Sequence, residues 1–246
     1  VTLQKLAESF SQQGVPVFTA DIKGDLSGLC QASSNTPKIQ ERVLKLGIQN
    51  FSPTATPVCF WDLLGKTGLP VRTTISEFGP LLLARLMDLN EVQTGVMQIA
   101  FRVADEQGLL MLDLKDLRSL LTFVSEQAEA IQTTYGNISP ATIGAIQRRL
   151  LSLEEAGADQ FFGEPALRLQ DIIRLAEDGR GIINILDATK LIENSRLYST
   201  FLLWLLSELF EELPEAGDLN KPKLVFFFDE AHLLFDDAPD ALVEKI

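Results

Sequence analysis

Cysteine and histidine are almost absent from this chain of 246 residues, which has only Cys30, Cys59 and His232. Two cysteines cannot build a disulfide framework, and one histidine cannot build a histidine-based zinc centre. Such sparing use of cysteine suits a reducing compartment, so we expect a cytoplasmic protein. The first ten residues also lack the basic start and apolar core of a secretory signal.

Positive charge is scarce as well. The chain has 21 Lys and Arg against 34 Asp and Glu, which gives a net charge of −13. An acidic surface opposes contact with the phosphates of nucleic acid, and no cluster of basic and aromatic residues counters it. The basic contacts to any DNA must therefore be local, shared in a ring, or outside this chain.

No hydrophobic run is long enough to cross a bilayer, which takes about 20 residues. The most apolar segment, Leu197–Phe210, is shorter and contains Glu208. We expect it to be a buried helix packed on a sheet, and we expect no membrane partner.

The most informative feature that is present is an apolar run that ends in two carboxylates. Residues 223–228 read Lys-Leu-Val-Phe-Phe-Phe, and Asp229 and Glu230 follow directly. Unbroken apolar character predicts a strand buried on both faces at the centre of a parallel sheet. Ligands bind beyond the carboxyl ends of such strands, so the pattern predicts a Walker B element. Asp229 would then bind Mg²⁺, and Glu230 would polarise the water that attacks a γ-phosphate. In the alternative interpretation Asp229 is a helix N-cap, with Glu230 in the first helical turn.

The order of the other elements predicts an α/β fold with a parallel sheet and a mostly helical insertion. Strands are expected at residues 15–20, 57–61, 69–74 and 181–187, and Asp21-Ile-Lys-Gly-Asp-Leu-Ser-Gly28 forms a polar loop after the first of them. Residues 76–178 are mostly helical in pattern. We therefore divide the chain into a first part of the core (1–75), the insertion (76–178) and a second part of the core (179–246).

A Walker B element needs a phosphate-binding loop, G-x-x-x-x-G-K-[ST]. The tempting fragment Gly65-Lys66-Thr67 fails, because Phe60 stands where the first glycine belongs and a strand-like run follows instead of a helix. We predict a hairpin turn there. Two explanations stay open: a degenerate protein that does not hydrolyse nucleotide, or a fragment whose phosphate loop precedes the helix that starts at Val1.

Five segments together resemble the HerA-like helicase C-terminal family of P-loop ATPases, which is related to FtsK and to conjugation ATPases. They are residues 1–13, the loop 21–28, Val71–Pro80, Phe161–Pro165 and Val225–Phe235. The resemblance implies a RecA-like P-loop NTPase sheet, ATP with Mg²⁺, a hexameric ring, and DNA translocation with a nuclease as a candidate partner. By position Asp229 resembles the Mg²⁺ ligand and Glu230 the catalytic glutamate, while Asp21 and Lys23 match a loop near the nucleotide.

The resemblance also implies a phosphate loop before Val1, and a sensor strand and an arginine finger beyond Ile246, so we expect this chain to be inactive alone. Two other functions remain. One is a scaffold or regulator that keeps the P-loop fold without turnover. The other is a DEAH-box helicase, suggested by Asp229-Glu230-Ala231-His232, although that box should lie much nearer to a phosphate loop.

Overall fold

A computed structural model describes residues 2–34, 36–49, 51–190, 195–213 and 217–228. By contacts between residues the chain forms two compact units. Of the described residues, the first unit contains those within 2–61, 169–189 and 217–228, and the second those within 62–168, 190 and 195–213. The candidate site residues that are described belong mainly to the first unit. Asp229 and Glu230 lie outside the described residues.

A parallel sheet forms the centre of the first unit. Its strands, numbered in chain order, are β1 (Val17–Asp21), β2 (Val58–Asp62), β4 (Ile183–Asp187) and β5 (Val225–Phe227). They lie in the order β2-β4-β1-β5, and each neighbouring pair is parallel. The helices of this unit are α1 (Thr2–Gln12), α2 (Pro37–Lys45) and α9 (Leu169–Ile172). The predicted α/β fold class with a parallel sheet is confirmed.

One face of the sheet packs against α1. Ala7 of α1 contacts Val17 of β1 and Ile183 and Ile185 of β4 in a buried cluster, and Leu29 completes it. Half-buried side chains, among them Phe10 and Phe227, surround this cluster. Because apolar area removed from water stabilises a fold by about 25 cal/mol per Å², this cluster holds the first helix on the sheet.

A polar side chain is fully buried in the middle of the sheet. The Asn184 side chain of β4 accepts a hydrogen bond from the Trp61 indole N–H (2.9 Å). Its amide nitrogen donates to the carbonyls of Ile172 (2.8 Å) and Val17 (3.1 Å). These bonds join three strands, β1, β2 and β4, to α9, and they satisfy a group that would otherwise be costly to bury.

The start of β4 approaches the start of β1 unusually closely. A Cβ atom on Gly181 would lie 2.1 Å from the Val15 carbonyl oxygen, so only glycine fits there. Beside it, the buried Ser11 hydroxyl at the end of α1 donates to the Gly181 carbonyl at 2.6 Å. This contact fixes the end of α1 relative to the sheet.

Among the described residues the strand before Asp229, β5, lies at the end of the sheet order and is half-buried, which differs from the prediction of a central strand buried on both faces. Among the described residues it pairs with β1 alone. Its aromatic side chains instead pack on neighbouring aromatic residues, with Phe226 stacked on Phe18 at 4.7 Å between ring centroids and Phe227 at 6.3 Å from Phe10. Continuous apolar character here reflects aromatic packing and not a central position.

The second unit is mostly helical. Its elements are β3 (Leu69–Pro70), α3 (Ile75–Phe78), α4 (Pro80–Leu86), α5 (Glu91–Gln107), α6 (Leu114–Glu126), α7 (Ala128–Tyr135), α8 (Pro140–Glu155) and α10 (Ser195–Glu212). The predicted helix starts after Asp113 and Ser139 are confirmed, because both side chains accept backbone hydrogen bonds as N-caps. The predicted helix over 114–131 is divided at Gln127 into α6 and α7.

The predicted strand over 69–74 is shorter than expected. Only Leu69 and Pro70 are in a strand, and Thr74 becomes the N-cap of α3. The Thr74 hydroxyl accepts from the Glu77 N–H, while the Glu77 carboxylate accepts from the Thr74 N–H, which is a reciprocal capping box. Local capping therefore overrides the strand propensity of the threonines.

The apolar helix predicted around Trp204 is confirmed as α10. Most of its residues are buried, and Trp204 lies in a cluster of aromatic rings with centroids 5.7 to 6.3 Å from its own. The rings that contact it are those of Phe78, Phe161 and Phe201. No helix within the described ranges combines the length and the apolar character that crossing a membrane requires.

Candidate functional site

Three strands of the sheet end in an aspartate: Asp21 in β1, Asp62 in β2 and Asp187 in β4. The register of β1 and β4 pairs Asp21 with Asp187 directly. The carboxyl ends of parallel strands are where α/β folds bind ligands, so the edge at Asp21 and Asp187, both in the first unit, is the candidate site. Each carboxylate accepts hydrogen bonds from the loop that follows its own strand.

Asp21 organises the loop in which the sequence predicted a nucleotide contact. Asp21 is 5% exposed. Its carboxylate accepts hydrogen bonds from the N–H groups of Gly24 (2.7 Å), Asp25 (3.2 Å) and Leu26 (3.0 Å). Gly24 has a φ of +74°, a backbone conformation that favours glycine. The predicted position of Asp21 at the carboxyl end of a buried strand is confirmed, and its carboxylate faces its own loop.

Lys23 lies at the outer side of the same loop. Its side chain is exposed, and its ammonium group forms no hydrogen bond or ion pair with any residue in the described part of the chain. A lysine on a loop whose backbone is held by hydrogen bonds presents a positive charge that an anion can contact. The two residues that the sequence predicted together therefore have different surroundings: Asp21 is saturated by backbone donors and Lys23 is free.

The loop after β4 lies beside the loop after β1. The Asp187 carboxylate accepts from the Thr189 hydroxyl (2.7 Å) and the Thr189 N–H (3.1 Å). The Ala188 N–H donates to the Asp21 carbonyl at 3.0 Å. These bonds fix the start of the two loops relative to each other.

Asp62 was not singled out from the sequence, although it organises the segment Gly65-Lys66-Thr67. Its carboxylate accepts from the N–H groups of Leu64 (2.8 Å), Lys66 (2.6 Å) and Thr67 (2.8 Å) and from the Thr67 hydroxyl (3.1 Å). Burial alone would raise the pKa of the Asp62 carboxyl, but these backbone hydrogen bonds outweigh burial and the pKa lies below its usual value.

The same contacts explain why Gly65-Lys66-Thr67 is not a phosphate loop. The backbone N–H groups that would surround a phosphate already surround the Asp62 carboxylate. The chain then turns back, and the Val71 N–H donates to the Asp62 carbonyl at 3.1 Å. The predicted hairpin turn is confirmed.

One sequence signal could have identified Asp62. Both saturated carboxylates belong to the spacing Asp-x-x-Gly, at Asp21-Ile-Lys-Gly24 and Asp62-Leu-Leu-Gly65. Both glycines have a positive φ, +74° and +60°, which lets the chain turn so that its N–H groups point back at the carboxylate. The repeated spacing after two apolar runs marks two loops of the same kind.

The described residues fit a phosphate better than they fit a metal. The carboxylates of Asp21 and Asp62 are already bound by backbone donors, and the described ranges contain no group of three His, Cys, Asp or Glu side chains that could hold an ion. Lys23 is suited to an anion such as a nucleotide phosphate. The predicted metal ligand Asp229 and catalytic Glu230 lie outside the described residues, so their roles stay predictions.

A separate cleft of about 410 Å³ opens beside α1 in the first unit. Gln4, Glu8 and Gln12 of α1 line one side, and residues 51–54 line another. Of the predicted site residues that the structure describes, neither Asp21 nor Lys23 lines it. Its position therefore adds nothing to the assignment of the strand-end loops.

The fold and the site together define the class: an α/β protein with a parallel sheet whose polar loops cluster at the carboxyl ends of the strands, as in nucleotide-binding α/β folds. The profile of the family described as Helicase HerA-like C-terminal matches residues 1–246. The chain belongs to this family, and the predicted resemblance is confirmed. A search of curated proteins found no match. Family membership indicates an ATPase motor domain of the HerA/FtsK type.

Proposed function

We propose that this chain is part of an ATP-hydrolysing motor that acts as a hexameric ring and translocates DNA, with a nuclease as a candidate partner. The observation that carries the proposal is the family match over the whole chain. The sheet order supports it, because β5, which leads to Asp229, lies directly beside β1, which leads to Asp21 and Lys23.

The residue pairing between β1 and β5 supports the proposal more specifically. Thr19 of β1 pairs with Phe227 of β5. In the sequence Asp21 follows Thr19 by two residues, and Asp229 follows Phe227 by two residues. The proposal therefore assigns the loop of Lys23 and the Walker B carboxylates to one nucleotide.

Each residue has a separate role in the proposed reaction. Lys23 binds a phosphate group of ATP, and Asp21 positions Lys23 by holding its loop through three backbone N–H groups. Asp229 binds Mg²⁺, which neutralises charge on the phosphates when it is bound. Glu230 orients and polarises the attacking water.

The decisive experiment compares Glu230→Gln with the wild type in the natural full-length protein. We expect the variant to bind ATP as tightly as the wild type but to hydrolyse it at least about 100-fold more slowly, because shape is kept and the base is lost. Calorimetry measures binding and phosphate release measures turnover. Glu129→Gln, a change to an exposed carboxylate on α7, is the matched control and should leave both unchanged.

The same assays separate the roles in the β1 loop. Lys23→Ala should raise KM for ATP about tenfold, which corresponds to one lost charge-assisted contact, while Lys38→Ala on α2 should not. Wild-type turnover in Glu230→Gln would refute the proposed catalytic role. A full-length protein that neither binds nor hydrolyses ATP would instead be the scaffold that keeps the fold without turnover.

A further inference from the structure

The helix α2 presents an apolar surface that nothing in the described part of the chain covers. None of its residues is buried. Four large apolar side chains on its last turn and the following loop are exposed: Leu44 (81%), Leu46 (63%), Ile48 (46%) and Phe51 (42%). We call these four residues the α2 surface. Four exposed large apolar side chains within residues 44–51, of which Ile48 and Phe51 also line the cleft beside α1, mark a candidate interaction site.

The charge around the α2 surface is opposite to that of the chain. α2 contains Lys38, Arg42 and Lys45 against Glu41, a net charge of +2, while the whole chain carries −13. Arg42 and Lys45 lie in the last turn, where cations are favoured by the helix dipole. A partner for this surface should therefore be apolar at its centre and acidic around it.

The second unit presents a surface with those properties. Between α5 and α6, Leu109, Leu110 and Leu112 are exposed by 45%, 78% and 37%. We call these three leucines the α5–α6 surface. Asp105, Asp113 and Asp116 accompany them with Lys115, a net charge of −2, and Glu106 beside them is paired with Arg102 at 2.8 Å.

The backbone holds these leucines in place. The Leu109 N–H donates to the Ala104 carbonyl at 2.9 Å, and the Met111 N–H donates to the Ser76 hydroxyl at 3.0 Å. The Leu112 N–H donates to the Asp116 carboxylate at 2.8 Å. The surface is thus ordered before any partner arrives, so that binding orders few further groups.

We propose that a second copy of this chain covers the α2 surface, and that it does so with its α5–α6 surface. Both surfaces are exposed, both are apolar at the centre, and their charges are complementary. Since two different surfaces meet, the contact is head-to-tail and each copy keeps one free surface of each kind, so the assembly grows into a ring or a filament.

This contact identifies surfaces for the self-association included in the proposed function and rests on it to that extent. It needs no nucleotide. Self-association measured without ATP therefore tests the contact, while turnover of Glu230→Gln tests the ATPase, and either can fail alone.

The test measures the mass of the full-length protein by analytical ultracentrifugation without nucleotide. The wild type should associate at micromolar concentrations, and Leu44→Ser and Leu110→Ser should each raise the dissociation constant at least about tenfold, because each removes an apolar anchor. Leu151→Ser is the matched control, since Leu151 is 49% exposed on α8 and belongs to neither surface. It should associate as the wild type does.

Mixing the Leu44→Ser and Leu110→Ser variants distinguishes a head-to-tail contact from a contact between two identical surfaces. The Leu44→Ser copy keeps an intact α5–α6 surface and the Leu110→Ser copy keeps an intact α2 surface. A mixture should therefore form heterodimers with one productive contact and stop there. Arg42→Glu should weaken association, and adding Asp105→Arg in the same chain should restore it.

Three results would overturn the proposal. The first is a wild type that is still monomeric at about 50 µM. The others are association that is unchanged in both leucine variants, and a lack of rescue of Arg42→Glu by Asp105→Arg. A monomer that binds vesicles of phosphatidylglycerol and phosphatidylcholine, and loses binding on Leu44→Ser, would assign the α2 surface to a membrane instead.

Discussion

The aspartates that end β1 and β2 bind their own backbone. Three N–H groups converge on Asp21 and three on Asp62, so most of the acceptor capacity of each carboxylate is used within its own loop. Among the described residues Lys23 is the unpaired cation of the β1 loop, and Asp25 is an exposed carboxylate two residues from it. At the scale of single residues, the candidate site separates into groups that shape it and one group that can contact an anion.

A different carboxylate, Glu208 on α10, should make stability depend on pH. Burial, and then the nearby carboxylates of Glu77, Glu211 and Glu212, raise the pKa of Glu208 to about 7, and the Trp204 indole N–H opposes this shift. The folded protein therefore holds the proton more tightly than the unfolded chain does. This contribution to stability is complete below a pH near 4.5 and is lost as the pH rises toward 7.

Replacing Glu208 by Gln should remove this loss of stability at high pH. We expect Glu208→Gln to raise Tm by about 2–4 °C at pH 8, which corresponds to about 1 kcal/mol after allowance for the half-exposed side chain, and to give no gain at pH 4. Thermal unfolding followed by circular dichroism at both pH values measures this. Glu129→Gln serves as the control, and an equal gain at both pH values would show that the charge of Glu208 is not the cause.

Most helices and strands could be predicted from the sequence because their periodicity and caps are local. Asn90, Asp113 and Ser139 precede their helices and cap them, and the apolar runs before Asp21 and Asp187 are buried strands. The division of α6 from α7 at Gln127 has no such local signal.

The site was harder to predict than the elements. Position at the end of a buried strand could be predicted for Asp21, since apolar strands end in polar loops at one edge of a parallel sheet. Which way a carboxylate faces depends on where backbone N–H groups point, and that depends on the φ of Gly24 and Gly65. The place of β5 at the end of the sheet order depends on pairing between distant segments, which apolar character alone does not encode.

At the scale of an element, the cap of α6 should contribute measurably to stability. The Asp113 carboxylate accepts from the Lys115 N–H (2.8 Å) and the Asp116 N–H (3.1 Å). We expect Asp113→Ala to lower the free energy of unfolding by about 1 kcal/mol, measured by urea titration. Lys115→Ala, an exposed change in the same turn, should lower it by less than about 0.5 kcal/mol. If Asp113→Ala and Lys115→Ala lowered the free energy of unfolding equally, the Asp113 cap would not stabilise the helix.

At the scale of the whole molecule, neither compact unit is a continuous segment. Within the described residues the chain passes from one unit to the other at residues 61/62, 168/169 and 189/190, and again between residues 213 and 217. Unfolding one unit therefore releases chain ends that the other needs in place, which favours a single cooperative transition.

The two tryptophans of the chain can test this cooperativity, because Trp61 lies in the first unit and Trp204 in the second, at 5% and 2% exposure. In Trp61→Phe the remaining fluorescence reports the second unit, and in Trp204→Phe it reports the first. Within each variant we expect the fluorescence transition in urea to coincide with that of far-UV circular dichroism. Separate midpoints in either variant would show that the units unfold independently.

The two Asp-x-x-Gly loops also have a consequence for the evolution and redesign of this protein. Their shape comes from one strand-end carboxylate, one glycine and main-chain N–H groups that every residue except proline carries. In the β1 loop the exposed Lys23 is therefore free to change chemistry without changing the path of the chain, whereas Leu63 of the β2 loop is buried and held by packing. Such loops can exchange one recognition residue for another, Lys23 included, while the scaffold beneath them stays the same.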